Sequence, residues 1–274
     1  MYLRTSIACI LALSVTNVFA QSTTIQHEAS IGFSDIRDGD DNFFGVSYRY
    51  YLDGVKIDKQ AWAISPYLQR VNNVTIDYFS IDDIYRAKVA GEWFLHKDWI
   101  VRGRYGRTEE DENYYNRTLQ RVGFDFAKFI SSNWEVGAGF DYYSDDQTIE
   151  YPNSSIPSQS RNENEFSLNV FARYTSFDKA AATFLPGWDV KLKASNFDNE
   201  YSLEVDTDYF FTRKWSVGVD VIHGGYDDFS DSNTIVELGT NYWFNPYSSI
   251  SFGVGIDTDD NDLGSLTLLG TFRF

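Results

Sequence analysis

Apolar and polar residues alternate with a period of two along most of the chain. Between Trp215 and Val221, four apolar residues alternate with Ser216, Gly218 and Asp220. A period of two is that of a β-strand, because successive side chains point to opposite faces of the sheet. No segment shows the spacing of a helix. The pattern therefore predicts an all-β protein whose strands each have one apolar face and one polar or small face.

Alternating segments of this kind predict about fourteen strands of roughly 9–11 residues each, with a range of about twelve to sixteen strands. Strands of this length cross a bilayer at a tilt. The predicted fold is a transmembrane antiparallel up-and-down β-barrel in one domain, residues 21–274. Pro66 is the only proline placed inside a predicted strand. The predicted strands are 26–34, 43–52, 61–71, 84–95, 99–108, 117–129, 134–143, 165–175, 188–195, 200–210, 215–223, 234–244, 249–257 and 265–274.

Connections of two kinds alternate between the predicted strands. Short ones, such as HKD, SSN and TRK, alternate with longer ones that are acidic and polar. Outer-membrane barrels have this asymmetry, with tight periplasmic turns and long external loops. Segments 53–60 and 176–187 fall on the short side yet are longer. The predicted external loops are 35–42, 72–83, 109–116, 144–164, 224–233 and 258–264. The longest, 144–164, either folds inward and narrows a pore or projects outward.

Three of the short connections share one motif of six residues. Segments 94–99 (FLHKDW), 129–134 (FISSNW) and 210–215 (FFTRKW) each run from Phe to Trp. Aromatic rings are stabilised where a strand leaves the hydrocarbon of a membrane. The motif therefore predicts a girdle at the periplasmic end, and the alternative is a set of small packed cores at the hairpin ends of a soluble protein. The predicted girdle consists of Phe94, Trp99, Phe129, Trp134, Phe210 and Trp215.

The first 20 residues have the pattern of a secretory signal peptide that is cleaved from the mature chain. Arg4 precedes a short apolar segment, and Val18-Phe19-Ala20 resembles a cleavage site. The only cysteine, Cys9, lies in this segment, so no disulfide is predicted. The net charge of −17 indicates no nucleic-acid partner, because such a partner needs a basic surface. An exported chain that is 18% aromatic is either a secreted soluble β-protein or an outer-membrane barrel, and the alternation favours the barrel.

The last predicted strand ends in an aromatic residue. Leu266, Leu268, Gly270, Phe272 and Phe274 share one face, and Phe274 is the last residue of the sequence. This ending resembles the signal that the bacterial barrel-assembly machinery reads during insertion, although the usual glycine would lie one residue before Gly270. We therefore predict that Phe272 and Phe274 form an assembly signal and that the assembly machinery is a partner.

Residues 43–71, FFGVSYRYYLDGVKIDKQAWAISPYLQRV, resemble the general bacterial porin family of Gram-negative bacteria. The matching features are Tyr48-Arg49-Tyr50-Tyr51, a short acidic turn, and a Pro-x-Leu strand that ends in Arg70-Val71. The resemblance implies a porin in the cell outer membrane that is a passive, water-filled channel for ions and small hydrophilic solutes. A barrel in that membrane is expected to contact lipid and lipopolysaccharide, and monomer and homo-oligomer both remain open.

The polar faces of the predicted strands carry many charges. In a dry core each would cost several kcal/mol, whereas a water-filled lumen removes this penalty. A barrel of about 14 strands lies between packed barrels of about eight and open channels of about sixteen. We therefore predict two charged walls that partly face each other across a pore; the alternative is water-facing residues at no shared depth. The acidic net charge separately indicates a weak cation preference. The basic wall is Arg49, Arg86, Lys88, Arg102, Arg104, Arg121, Arg173, Lys191 and Lys193. The acidic wall is Glu204, Asp206, Asp208, Asp220, Glu237 and Asp257.

No catalytic residue, cofactor or metal site is predicted. Of the three histidines, only His223 lies near the external rim, where Asp220 and the pair Asp227-Asp228 are close in sequence. A solvated loop residue is favoured there over a general base. The acidic run 257–262 lacks the sixth-position glycine and the distal glutamate of a calcium loop. The alternative to a channel is a structural or adhesion barrel with a plugged lumen, whose external loops bind partners.

Overall fold

The computed structural model describes residues 24–36, 41–96, 98–112, 114–149, 158–177, 183–197, 200–226, 232–258 and 262–274. The predicted signal peptide, residues 1–20, lies outside this range and stays a prediction. Within the described residues, no helix is both long enough and apolar enough to cross a membrane.

The described residues form fourteen antiparallel strands that close into one barrel. Each strand pairs with its neighbours in sequence, and the first strand pairs with the last. The strands are β1 (Thr24–Ile36), β2 (Asp41–Lys56), β3 (Asn73–Ile81), β4 (Ile84–Leu95), β5 (Trp99–Glu112), β6 (Tyr115–Phe129), β7 (Trp134–Ile149), β8 (Gln159–Thr175), β9 (Gly187–Phe197), β10 (Glu200–Thr212), β11 (Trp215–Tyr226), β12 (Ser232–Asn245), β13 (Ser248–Asp257) and β14 (Asp262–Arg273). The predicted fold class, an up-and-down barrel of about fourteen strands, is confirmed.

The barrel is apolar outside and polar inside. On β11, Val217 and Val219 are 39% and 38% exposed, whereas Ser216 is only 3% exposed. On β7, the carboxylates Glu135 and Asp141 are buried among inner-face residues. This arrangement reverses that of a soluble protein. It follows from the alternation, because each row of apolar side chains is stable against hydrocarbon, whereas each row of charged side chains needs polar partners.

The third predicted strand, 61–71, is wrong. Segment 57–72 instead leaves the barrel wall after β2 and folds into the interior, where it contains the one-turn helix α1 (Ser65–Leu68). Pro66 lies in the first turn of this helix, where its missing N–H removes no hydrogen bond. The true third strand, β3, lies within 72–83, which was predicted as an external loop. It pairs with β2 and β4 over its whole length.

The predicted external loop 144–164 is mostly strand. Its two flanks pair as the ends of β7 and β8, with Ser144 opposite Asn164 and Thr148 opposite Ser160. Residues 150–157 lie outside the described residues. Most of the segment therefore lengthens the barrel wall. Side chains such as Asp146 and Asn162 also hydrogen-bond to each other across this hairpin.

We call segment 57–72 the inner segment. Its Tyr67 and Leu68 are buried in a hydrophobic cluster at the short-turn end of the barrel. The second irregular connection, 176–186, supplies Phe177 to the same cluster. The inner segment and the connection 176–186 thus meet inside the barrel. The other buried members of the cluster are Ala61, Ile100, Ala127, Phe129 and Phe210.

Candidate pore

The fifteen predicted wall residues share the inner face of the barrel. In antiparallel pairs, residues opposite each other point to the same side of the sheet. Arg102 lies opposite Glu92 and Asp125, and Asp220 lies opposite Asp206 and Glu237. Cavities in the interior border members of both walls. Strand alternation alone was sufficient to assign the face, because it does not depend on the pairing register.

Arg102 is held between two carboxylates. Its Nε donates to Glu92 Oε2 and its Nη1 donates to Glu135 Oε1, each at 2.6 Å. The hydroxyl of Tyr67, from the inner segment, donates to Glu135 Oε2 at 2.8 Å. The guanidinium of Arg173 lies 3.4 Å from the centre of the Tyr67 ring. These contacts tie the inner segment to β7 and β8.

Arg104 and Arg121 share one carboxylate. Asp141 accepts two hydrogen bonds from each guanidinium, at 2.7 to 2.8 Å. Arg104 also donates to Asp125 at 2.5 Å. Forked pairs of this kind fix both the position and the plane of a guanidinium. The arginines here are therefore rigid and electrically compensated.

The basic wall is thus largely neutralised by acids that the sequence analysis did not assign to it. Strand alternation would have found Glu92 and Asp125, because each lies an even number of residues from an assigned wall position on its own strand. Asp77 was missed because β3 was misplaced. The remaining pairs are Arg49–Glu28 at 3.3 Å, Lys88–Asp77 at 3.9 Å, Arg173–Asp189 at 2.7 Å, Lys191–Asp206 at 2.5 Å and Lys193–Glu204 at 2.7 Å.

The acidic wall keeps three carboxylates without a basic partner. Within the described part of the chain, Asp208, Asp220 and Glu237 have no Arg or Lys nitrogen within 4.0 Å. Asp220 lies directly opposite Asp206 and Glu237, an arrangement of like charges that destabilises a dry sheet. A cavity of about 190 Å³ borders the three carboxylates, and its wall includes Gly218, Gly239 and Gly253. Water in this cavity would screen the repulsion.

Further cavities occupy the rest of the interior. One of about 470 Å³ has Ala63, Ile64, Pro66 and Tyr67 of the inner segment on one side. Three more, of about 290, 290 and 330 Å³, share the lining residue Lys193 with one another. The interior between the inner segment and the long-loop end is therefore not filled by side chains, whereas the short-turn end contains the hydrophobic cluster.

The predicted girdle divides between the two faces. Trp134 and Trp215 are 41% and 42% exposed on the outer face, and Trp99 shares that face with its register partner Lys128. The three phenylalanines are corrected: Phe94, Phe129 and Phe210 pack in the interior, in or against the hydrophobic cluster. Across each hairpin the Phe lies opposite the residue that follows the Trp, so the Phe and the Trp of one motif face opposite sides of the sheet. The tryptophans remain a predicted girdle.

The last residue, Phe274, is hydrogen-bonded to the first strand through its backbone. His27 N–H donates to the carbonyl of Phe274 at 2.8 Å, and Phe274 N–H donates to the carbonyl of His27 at 2.9 Å. The two rings stack with their centres 5.0 Å apart. Phe272 lies opposite Ala29 in the same seam. The assembly role of Phe272 and Phe274 stays a prediction.

The described residues contain no group of three or more His, Cys, Asp and Glu side chains that could hold a metal ion. The ring of His223 is within hydrogen-bond distance of Tyr201 and Thr234, at 3.0 and 2.8 Å. His223 and Asp220 are three positions apart on β11, so they point to opposite faces. Asp227, Asp228 and most of the acidic run at 257–262 lie outside the described side chains.

Comparison with known proteins gives a fold. No family model matches the sequence, and no curated protein matches it. Among solved structures, the chain is similar to the outer membrane protein Omp33 of Acinetobacter baumannii, with a TM-score of 0.70 and 16% identity over 93% of this chain and 100% of that chain. It is also similar to CdiB from Acinetobacter baumannii, with a TM-score of 0.52 and 7% identity over 92% of this chain and 60% of that chain. The chain therefore has the fold of an outer-membrane β-barrel.

Proposed function

We propose that the protein is an outer-membrane channel for ions and small hydrophilic solutes, with a cation preference set by Asp208, Asp220 and Glu237. The apolar outer face and the fold shared with Omp33 support a place in the outer membrane. The cavities and charged inner face support an aqueous interior. Lipid and lipopolysaccharide would surround the barrel, and the barrel-assembly machinery would insert it.

The three unpaired carboxylates carry the proposal. Arginines such as Arg102 and Arg104 are each bound by two carboxylates, so their fields are largely cancelled at short range. Asp208, Asp220 and Glu237 have no such compensation, and they border a common cavity. A wall of uncompensated charge inside a low-dielectric tube concentrates ions of the opposite sign. Cations should therefore travel along β10–β12.

A route to the periplasmic end follows the same side of the barrel. Five buried polar atoms have no hydrogen-bond partner among the described residues: Asn169 Oδ1 on β8, and four on this side of the barrel, Asn241 Oδ1, Ser249 Oγ, Trp243 Nε1 and Trp62 Nε1. Buried polar atoms are rarely left unpaired, so we expect water at these atoms. Asn241 also lines the cavity beside Asp220. A file of water between the inner segment and β12–β13 would connect that cavity to the periplasm.

Reversal potentials in planar bilayers test this proposal. The refolded protein should be cation-selective under a salt gradient, and the combined variant Asp208→Asn, Asp220→Asn, Glu237→Gln should lose most of that selectivity. Asp145→Asn is the control for charge number, because Asp145 lies on β7, outside the cavity that borders the three carboxylates. Comparing it with Asp220→Asn alone, we expect a shift of several millivolts only for Asp220→Asn. Equal shifts, or anion selectivity in the unmodified protein, would overturn the assignment of the preference to this wall.

The inner segment favours a second candidate, a structural or adhesion barrel with a closed lumen. Arg273 Nη1 donates to the carbonyl of Trp62 at 2.6 Å, and Trp62 N–H donates to the carbonyl of Arg213 at 3.0 Å. With the Tyr67 contacts, these bonds anchor the segment on opposite sides of the barrel. A protein that is correctly folded in bilayers but gives no conductance steps at any voltage would support this second candidate.

A further inference from the structure

One of the interior cavities is lined mainly by basic side chains. It has a volume of about 290 Å³, at the low end for pockets that bind small molecules. Five bases from β4, β5, β6 and β9 border it, and Asp125 is the only acid among its lining residues in the described chain. The five bases are Arg86, Lys88, Arg104, Arg121 and Lys193.

The charges around this cavity do not balance. The five bases have four carboxylates within ion-pair distance, namely Asp77, Asp125, Asp141 and Glu204. Arg86 has no carboxylate within 4.0 Å among the described residues; its nearest recorded contact is the Phe79 ring, 5.5 Å away. Lys88 is only loosely paired, at 3.9 Å from Asp77. The cavity is therefore short of one negative charge, and that deficit is localised at Arg86.

The geometry suits one chemical group. Arg104 and Arg121 are fixed in orientation by their forked bonds to Asp141, so part of the cavity wall is rigid. A guanidinium matches a carboxylate through two parallel hydrogen bonds. A ligand with a single negative charge would complete the balance. A dianion would leave an excess of negative charge next to Asp125 and Asp141.

The wall also leaves space for the rest of the ligand. Gly106 points into the cavity from β5, opposite Lys88 and Arg121. A methyl group at this position would meet only the carbonyl oxygen of Ala87, at 3.8 Å. A side chain at Gly106 would therefore fit the backbone but occupy the cavity.

We propose that this cavity binds a small solute carrying one carboxylate group, with Arg86 as its primary contact. The site depends on the proposed function only in that solutes must enter the lumen. Inorganic cations that follow the carboxylates of β10–β12 would pass on another side of the barrel. The protein would then retain an organic monocarboxylate at a defined point inside the barrel.

Titration with trifluoroacetate, followed by ¹⁹F NMR, tests the proposal on the refolded full chain in detergent micelles. Ionic strength is held constant with chloride, so general screening gives no saturable response. We expect saturable binding, at least tenfold weaker in Arg86→Gln and lost in Gly106→Leu. Arg117→Gln is the matched control, since it removes one positive charge from a paired base outside this cavity. Its affinity should stay within twofold of the unmodified protein.

The outcomes separate this site from the channel proposal. Absence of saturable binding, equal weakening by Arg86→Gln and Arg117→Gln, or unchanged binding in Gly106→Leu would each overturn the site. The titration involves no conduction, so a silent but carboxylate-binding barrel would overturn only the channel. The folded state of every variant is checked by electrophoresis in detergent gels, where the unheated folded barrel should migrate faster than the same protein after heating.

Discussion

At the scale of single residues, Arg104 and Arg86 have the same chemistry but different surroundings. Arg104 is 15% exposed and is bound by Asp125 and Asp141, whereas Arg86 has no carboxylate within 4.0 Å among the described residues. Removing one partner from a largely buried pair leaves the other charge uncompensated. The two arginines therefore should differ in their contribution to stability.

We expect Arg104→Gln to lower the free energy of unfolding by about 2 kcal/mol, because Asp125 loses its charged partner. Arg86→Gln should change it by less than about 0.5 kcal/mol, as for other substitutions that break no network. Urea titration of the barrel in detergent micelles, followed by tryptophan fluorescence, measures both. Equal destabilisation by the two variants would contradict the assignment of Arg104 as a compensated structural charge.

The sequence predicts which face a residue occupies better than it predicts its partner. The face follows from local alternation, so Arg102 and Asp220 could be placed inside without knowing the fold. The cross-strand partner of a residue depends on the register between the two strands, and a slip of one residue changes every partner. The match of Arg102 with Glu135, from β7, joins strands that are not neighbours, and no local pattern in the chain encodes it.

At the scale of elements, the inner segment is the feature that narrows the barrel. Tyr67 contacts Glu135 through its hydroxyl and Arg173 through its ring. Burial raises the pKa of Tyr67 above its usual value, so the hydroxyl remains protonated and continues to donate at alkaline pH. Together with the buried Leu68, this contact should hold the segment in place over the ordinary range of pH.

Loosening the inner segment should therefore widen the pore. We expect the variant Tyr67→Ala, Leu68→Ala to raise single-channel conductance severalfold, since it removes two cluster side chains and the bond to Glu135. Swelling of proteoliposomes in sugars of increasing size gives an independent measure of pore width. Ser131→Gly, Ser132→Gly, in the exposed turn between β6 and β7, is the control and should behave like the unmodified protein. Unchanged conductance in the cluster variant would show that the constriction lies elsewhere.

The inner segment shows why this element could not be predicted from pattern alone. Trp62, Ile64 and Leu68 are spaced by even numbers, which indicates a strand. Pro66 occupies the same row, and a proline inside a central strand removes a ladder hydrogen bond. Whether such a segment stays in the wall or folds inward depends on whether groups distant in sequence supply hydrogen-bond partners for its backbone. Here the backbone N–H of Trp62 donates to the carbonyl of Arg213, and the backbone carbonyl of Trp62 accepts from the side chain of Arg273.

At the scale of the whole molecule, the two faces make opposite demands on the solvent. Large apolar residues such as Phe124 and Phe126, 49% and 52% exposed, cover the outside of β6, while Arg121 and Asp125 lie on its inner side. Apolar surface of this extent would associate in water. The same surface is stable against hydrocarbon, as the outer face of a membrane barrel must be.

A pair of tryptophans at one depth tests this arrangement directly. Trp215 lies opposite Tyr242 in the sheet, and Trp243 is the next residue, so the two indoles are at nearly the same height but on opposite faces. Trp215 is 42% exposed and Trp243 is 3% exposed, with the guanidinium of Arg273 lying 4.2 Å from its ring. Variants that keep only one of the two tryptophans, with the others replaced by phenylalanine, are reconstituted in lipids brominated near the headgroup. Because bromine quenches indole fluorescence only on contact, Trp215 should lose most of its emission and Trp243 should keep it. Quenching of both would mean that Trp243 faces lipid, and quenching of neither would mean that the outer face is not in the bilayer.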